Sequence, residues 1–158
     1  MVRRFLLALL IGAAFAWPAR AEPAEAAIAI AARLVGSWSF QSSTNMRGDG
    51  SSFDRWGPSS RGTFMFDDGG HFVQVILGPE SRIFGAKSFF AFGTYEVDEK
   101  KKMIISRIEG SSNSKLIGVE QQRLITTLTE DKLKYVNLNT SSGTKVEAVW
   151  KRMKSKGP

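Results

Sequence analysis

From Gly36 to Arg152 the chain is a succession of short runs rich in β-branched and aromatic residues, separated by clusters of Gly, Asp, Asn and Ser, with no convincing return of a helical period. This pattern constrains the fold more than any other feature of the 158 residues. The expected strands are 36–43, 61–66, 71–77, 88–97, 102–108, 119–128, 132–138 and 144–152. Turns fall at Asp67-Asp68-Gly69-Gly70, Asp98-Glu99-Lys100, Thr129-Glu130-Asp131 and Thr140-Ser141-Ser142-Gly143. Strands joined mostly by tight turns form an antiparallel meander. About eight of them close into a small up-and-down barrel that can hold one ligand, and closure leaves no exposed edge. The reading is therefore all-β, an antiparallel barrel preceded by a short helix.

The start of the first strand and the end of the last one suggest how such a barrel closes. Gly36 permits a sharp turn and close backbone approach, and Trp38 supplies a large apolar plug. In the last strand Val146, Ala148, Trp150 and Arg152 share one face by the period-two rule. If the first and last strands are neighbours, the Arg152 guanidinium lies over the Trp38 ring. Gly36, Trp38 and Arg152 are thus expected as the structural closure of one end.

The segment before the barrel has the make-up of a secretory signal over 1–21: Arg3 and Arg4, an apolar run from Phe5 to Ala16, and Ala19-Arg20-Ala21 before the expected cut. The apolar run is shorter than the roughly 20 residues that span a bilayer, so no stable membrane insertion is expected after cleavage. The paired arginines leave Sec and twin-arginine export both open. Residues 22–33 read as a leader or short helix, 34–153 as the barrel, and 154–158 as a basic tail. Losing Arg3, Arg4 and Arg20 lowers the formal net charge of +7 by three. The modest remainder, with no basic stacking platform, does not point to nucleic acid. The absence of cysteine excludes disulfides, thiol nucleophiles and thiolate metal sites.

Five stretches in order resemble the bacterial lipocalin-like domain family: Leu34-Val35-Gly36-Ser37-Trp38, residues 61–72, Phe92-Gly93-Thr94-Tyr95-Glu96-Val97, Gly118-Val119-Glu120-Gln121-Gln122-Arg123, and Val149-Trp150-Lys151-Arg152. Gly36-Ser37-Trp38 with a closing arginine is similar to the G-x-W signature of calycins. The resemblance implies a lipocalin-like barrel, often exported, with no general enzymatic activity or common ligand. Family members often carry histidine where this chain has Ser106-Arg107, and a proline-aromatic pair where it has Ser114 to Leu116.

The candidate ligand-binding residues are Arg107, Arg123, Tyr95, Phe92, Tyr135 and Trp56. The two arginines stand in strands whose faces mix polar with apolar groups, as a partly polar lumen requires; outward, solvated positions fit them equally. The tyrosines and Phe92 offer ring faces and hydroxyls. Trp56 and Phe53, in the long loop 44–60, suit a lid over the open end, a patch for a protein partner, or a loop folded down onto the barrel for stability alone. The single histidine, His71, follows a turn and has no spaced carboxylates to form a metal site. No metal, cofactor or catalytic set is expected.

Three functions fit this pattern. The favoured one is an exported, non-catalytic barrel holding a small hydrophobic or amphipathic molecule in its lumen. The second is a cyclase- or isomerase-type barrel enzyme using Tyr95, Glu120 or His71 as acid or base. The third is a structural or protein-binding barrel with a filled core.

Overall fold

The computed structural model describes residues 29–79, 87–138, 140 and 143–154. The signal reading of 1–21, residues 22–28 of the leader and 155–158 of the tail lie outside the described residues. A short helix, α1 (Ile30–Leu34), is followed by β1 (Gly36–Met46), β2 (Ser52–Phe53), β3 (Arg61–Phe66), β4 (His71–Leu77), β5 (Ser88–Asp98), β6 (Met103–Ser111), β7 (Glu120–Leu128), β8 (Lys132–Asn137) and β9 (Lys145–Arg152). A single 3-10 turn, Ser114–Leu116, stands between β6 and β7.

The strands pair in the order β2-β1-β3-β4-β5-β6-β7-β8-β9, and β9 returns to pair with β1. Eight strands thus form a closed antiparallel barrel, with β2 as a short addition outside the ring. β3 and β4 have the bounds expected from their alternation. β1 runs three residues further than expected because its first half pairs with β3 while its second half stays on β9, bending at a bulge between Phe40 and Ser42. β2 was not expected: Asn45↔Phe53 and Met46↔Ser52 pair inside the long loop, and the Arg47 guanidinium covers the Phe53 ring at 4.1 Å. Among the described residues the helix runs from Ile30 to Leu34, one residue past the expected end at 33.

One half of the barrel is packed solid. Trp38, Phe64, Ile104, Ile108, Leu133 and Trp150 are fully buried. Around Phe64 the rings of Phe66, Phe72, Trp150 and Tyr135 stand at 4.2, 6.0, 5.3 and 6.3 Å between centroids, mostly edge to face. α1 covers this end, where the backbone N–H groups of Ile30 and Ala31 donate to the Glu99 carboxylate at 3.0 and 3.1 Å.

Candidate functional site

The two ends of the barrel differ in chemistry. At the packed end, Trp38 is fully buried and its Nε1–H donates to the Leu34 carbonyl at 2.9 Å. Arg152 lies over the Trp38 ring, 4.0 Å from guanidinium carbon to centroid. Its Nη1 donates to the Val35 carbonyl at 2.9 Å, its Nε to the Glu130 carbonyl at 2.6 Å, and its Nη2 to the Arg33 carbonyl. One side chain therefore joins α1, the β7–β8 turn and both ends of the sheet closure. Gly36 makes room for it. At φ +122° a Cβ would be strained and would stand 2.9 Å from Arg152 Nη1. Gly36→Ala is expected to lower stability by about 1–3 kcal/mol, read as a lower urea midpoint with an unchanged slope.

At the other end Arg55 and Trp56 of the β1–β3 loop, Ser88 and Phe89 at the start of β5, Ser112, Asn113 and Leu116 of the β6–β7 connection, and Thr140 surround a cavity of about 310 Å³. β1, β7 and β8 contribute a polar wall: Ser43, Asn45, Gln121, Arg123, Tyr135 and Asn137. Ile76, Phe89 and Leu116 face it from β4, β5 and the 3-10 turn. Trp56 also lines the cavity and is buried, so the loop aromatic has folded onto the barrel instead of standing out in solvent.

No family model matches the chain and no curated protein matches it. Among solved structures it is similar to a lipocalin-like protein from Bacteroides uniformis, at 14% identity over 77% of this chain and 99% of that one, with a TM-score of 0.49. It is also similar to bovine odorant binding protein in complex with a selenium-containing odorant, at 15% identity over 80% of this chain and 74% of that one, with a TM-score of 0.47. A de novo designed fluorescence-activating β-barrel matches at 15% identity over 80% of this chain and 99% of that one, with a TM-score of 0.47. Eight antiparallel strands in sequential order, closed first to last, with the G-x-W tryptophan under the terminal arginine, decide the architecture. The fold is a lipocalin-like barrel.

Within this lipocalin-like barrel, Arg123 is the group with the most unusual surroundings. It is 2% exposed, on the inner face of β7. Its Nη1 donates to Ser106 Oγ and its Nη2 to Gln121 Oε1, each at 2.7 Å. The guanidinium carbon is 5.7 Å from the Phe64 ring centroid and 5.8 Å from that of Tyr135. Among the described residues no carboxylate forms an ion pair with it. Burial lowers its pKa from the ordinary arginine value, opposed by the Tyr135 hydroxyl. Tyr135 in turn accepts from Gln74 Nε2 at 3.5 Å. Three further polar atoms are buried with no hydrogen-bond partner among the described residues: Trp150 Nε1 in the packed half, and Ser43 Oγ and Asn45 Oδ1, whose residues line the cavity.

Of the six candidate ligand-binding residues, Arg123, Tyr135 and Trp56 come together around the cavity. Three do not. Arg107 is exposed on the outer face of β6, because Ile104, Ser106 and Ile108 are the buried set on that strand. Phe92 is 47% exposed on the outer face of β5, beside Val73 and with its ring against Gly110. Tyr95 points inward but toward the packed end, against Phe66 at 4.9 Å, with its hydroxyl donating to the Asp67 carbonyl at 2.8 Å. Burial raises its pKa, and the charges of Asp67 and Asp68 add to the rise.

The groups considered for acid–base work do not meet. His71 is exposed at the β3–β4 turn, its Nδ1 3.0 Å from Asp67 Oδ2. Asp67 is held below the usual carboxylate range chiefly by the His71 backbone N–H. Glu120 is exposed at the start of β7, paired in register with Arg107. None of the three lines the cavity. The inward polar residues missed in the sequence are Ser43, Asn45, Gln74, Ser106, Gln121 and Asn137. On β4, β6, β7 and β8 they share parity with the buried apolar positions, which is the signal that finds them.

Proposed function

We propose that this lipocalin-like barrel is an exported, non-catalytic carrier that holds one small amphipathic molecule in the open half of its lumen. The observation that carries the reading is the cavity of about 310 Å³, which combines inward polar side chains concentrated on β1, β7 and β8 with the apolar surfaces of Ile76, Phe89 and Leu116. Its size is at the small end of ligand pockets, which span ~300–1,000 Å³. A filled structural core has no use for such a space, and close packing would otherwise remove it. The apolar surfaces supply most of the affinity and the polar side chains fix orientation. Sequestration is the whole mechanism.

Export rests on the sequence of 1–21 and is tested by the mass of the protein recovered from the periplasm, which should begin at Glu22. Binding is tested with N-phenyl-1-naphthylamine, whose fluorescence rises in an apolar pocket. Val146, on β9 between Asn137 of β8 and Asn45 of β1, lines the cavity. Val146→Trp places an indole in the space and should weaken probe binding at least tenfold, while the circular dichroism spectrum stays that of the wild type. Unchanged probe affinity in a folded variant would remove the lumen as the site.

A further inference from the structure

Arg123 is buried with its charge unmatched by any described carboxylate, and it keeps donors to spare: the guanidinium has five N–H groups, of which single ones go to Ser106 and Gln121 and another interacts with the Tyr135 hydroxyl. A cation withdrawn from water costs several kcal/mol unless it is paired. In a cavity open at one end, a bound anion supplies that pairing.

The register shows what stands beside it. Along the hydrogen-bonding direction Arg123 is opposite Asn137, Asn137 opposite Val146, and Val146 opposite Asn45. These inward residues form one row across β7, β8, β9 and β1. Adjacent strands lie about 4.8 Å apart, so the row runs about 14 Å along the curved wall and less across the lumen. At its far end Asn45 Oδ1 is a buried acceptor with no partner, and the next row places Ser43 Oγ beside it, also without a partner. Buried polar groups in folded proteins are almost always satisfied, so two orphans lining one cavity mark a place where a ligand makes the missing bonds. Between Asn137 and the two orphans the wall is small or apolar, Val146 and Ala148, which leaves room for a ring or short chain. The cavity of about 310 Å³ holds on the order of ten water-sized units at ~30 Å³ each, too little for a long acyl chain.

Resting on the carrier reading above, we infer that the lumen is selective for small monocarboxylates of roughly ten heavy atoms that carry a hydroxyl or N–H donor at the opposite end from the carboxylate. The carboxylate pairs with Arg123, and the donor meets Asn45 Oδ1 and Ser43 Oγ. The wall formed by Ile76, Phe89 and Leu116 packs against the middle of the molecule.

The test is competition against bound N-phenyl-1-naphthylamine with three matched compounds: 3-(4-hydroxyphenyl)propionate, its primary amide, and 3-phenylpropionate. The hydroxylated acid is expected to bind tightest. The amide loses the charge and should bind on the order of 30-fold more weakly, the scale of a charge-assisted hydrogen bond. 3-Phenylpropionate loses only the donor and should bind about fivefold more weakly. In Asn45→Leu the two acids should converge, and in Arg123→Lys the preference for acid over amide should persist with a smaller ratio. Melting curves confirm that each variant is folded. Equal affinity for acid and amide overturns the anion assignment, and equal affinity of the two acids in the wild type overturns the donor assignment. Failure of all three compounds to displace a probe that Val146→Trp does exclude overturns the inference and leaves the carrier reading standing. A probe that Val146→Trp fails to exclude removes both.

Discussion

Trp38→Ala should destabilise the protein by about 3–5 kcal/mol, the cost of truncating a fully buried tryptophan. Trp38 has no exposed surface, so no transfer energy is recovered by partial hydration. Three losses coincide. The cavity left behind faces Arg152 on one side and the aromatic cluster on the other. The Leu34 carbonyl loses its donor. The Arg152 guanidinium loses the ring face it covers at 4.0 Å, although its bonds to the Val35, Arg33 and Glu130 carbonyls remain geometrically possible. Relaxation cannot remove much of the void, because β1 is paired with both β3 and β9 at this position. Urea denaturation measures the effect as a fall in midpoint at constant slope. Trp38→Phe keeps a ring under Arg152 but removes the indole N–H, so it should cost distinctly less, about 1–2 kcal/mol. A loss below about 1 kcal/mol for Trp38→Ala would mean that α1 and Arg152 hold the closed end without the plug, contrary to the contacts described.

How far the sequence alone reaches is set by where parity survives. The last strand is regular from Lys145 to Arg152, so the inward set Val146, Ala148 and Trp150 follows directly from alternation, and the Trp38–Arg152 stack with it. On β1 the same rule carries Trp38 and Phe40 inward and then fails. The bulge between Phe40 and Ser42 adds a residue, and the inward positions become Ser43 and Asn45 instead of Ser42 and Thr44. The two orphaned polar groups of the cavity were therefore illegible, since nothing in the serine-rich run 42–44 marks a bulge. The outward placement of Phe92 needs no bulge: on β5 Ala91 and Gly93 on either side of it are buried, so plain alternation puts Phe92 outside. The register shift beside it falls on β6, where Glu109 is the extra residue, and the close approach of the Arg107 carbonyl, 2.1 Å from where a Gly93 Cβ would be, accounts for the glycine there. Arg123 and Arg107 could not be told apart by composition. Pairing decides it: Arg123 lies opposite Ile104 on the inner face, and Arg107 opposite Glu120 on the outer one.

Stability and binding should move in opposite directions when the charge is removed from the lumen. The triple variant Arg123→Met, Ser106→Ala and Gln121→Leu replaces the buried cation and its partners Ser106 and Gln121 by apolar groups, while the Tyr135 hydroxyl, which also interacts with Arg123, keeps Gln74 Nε2 at 3.5 Å. Replacing a buried charged cluster in this way is neutral or stabilising by about 1–4 kcal/mol, because the desolvation cost disappears and no polar atom is orphaned. The direction for this protein is set by the environment of Arg123. It is fully buried, its pKa is depressed by that burial, and no described carboxylate compensates it. A depressed pKa on a base means that folding disfavours the charged form, so at every pH where the arginine is protonated the native state carries the penalty, and the variant does not. The methionine sulfur takes up a place near the Phe64 and Tyr135 rings that the guanidinium now occupies. A rise of roughly 4 °C in melting temperature per kcal/mol follows for a domain of this size. The single change Arg123→Met should gain less, because Ser106 Oγ and Gln121 Oε1 would be left buried without their donor. The triple variant should bind the neutral naphthylamine probe at least as tightly as the wild type while losing its preference for carboxylates. A more stable barrel with an intact pocket and no anion selectivity would identify Arg123 as a group kept against the interest of the fold. A triple variant that is markedly less stable than the wild type would instead assign the Arg123–Ser106–Gln121 cluster to holding β6 and β7 together.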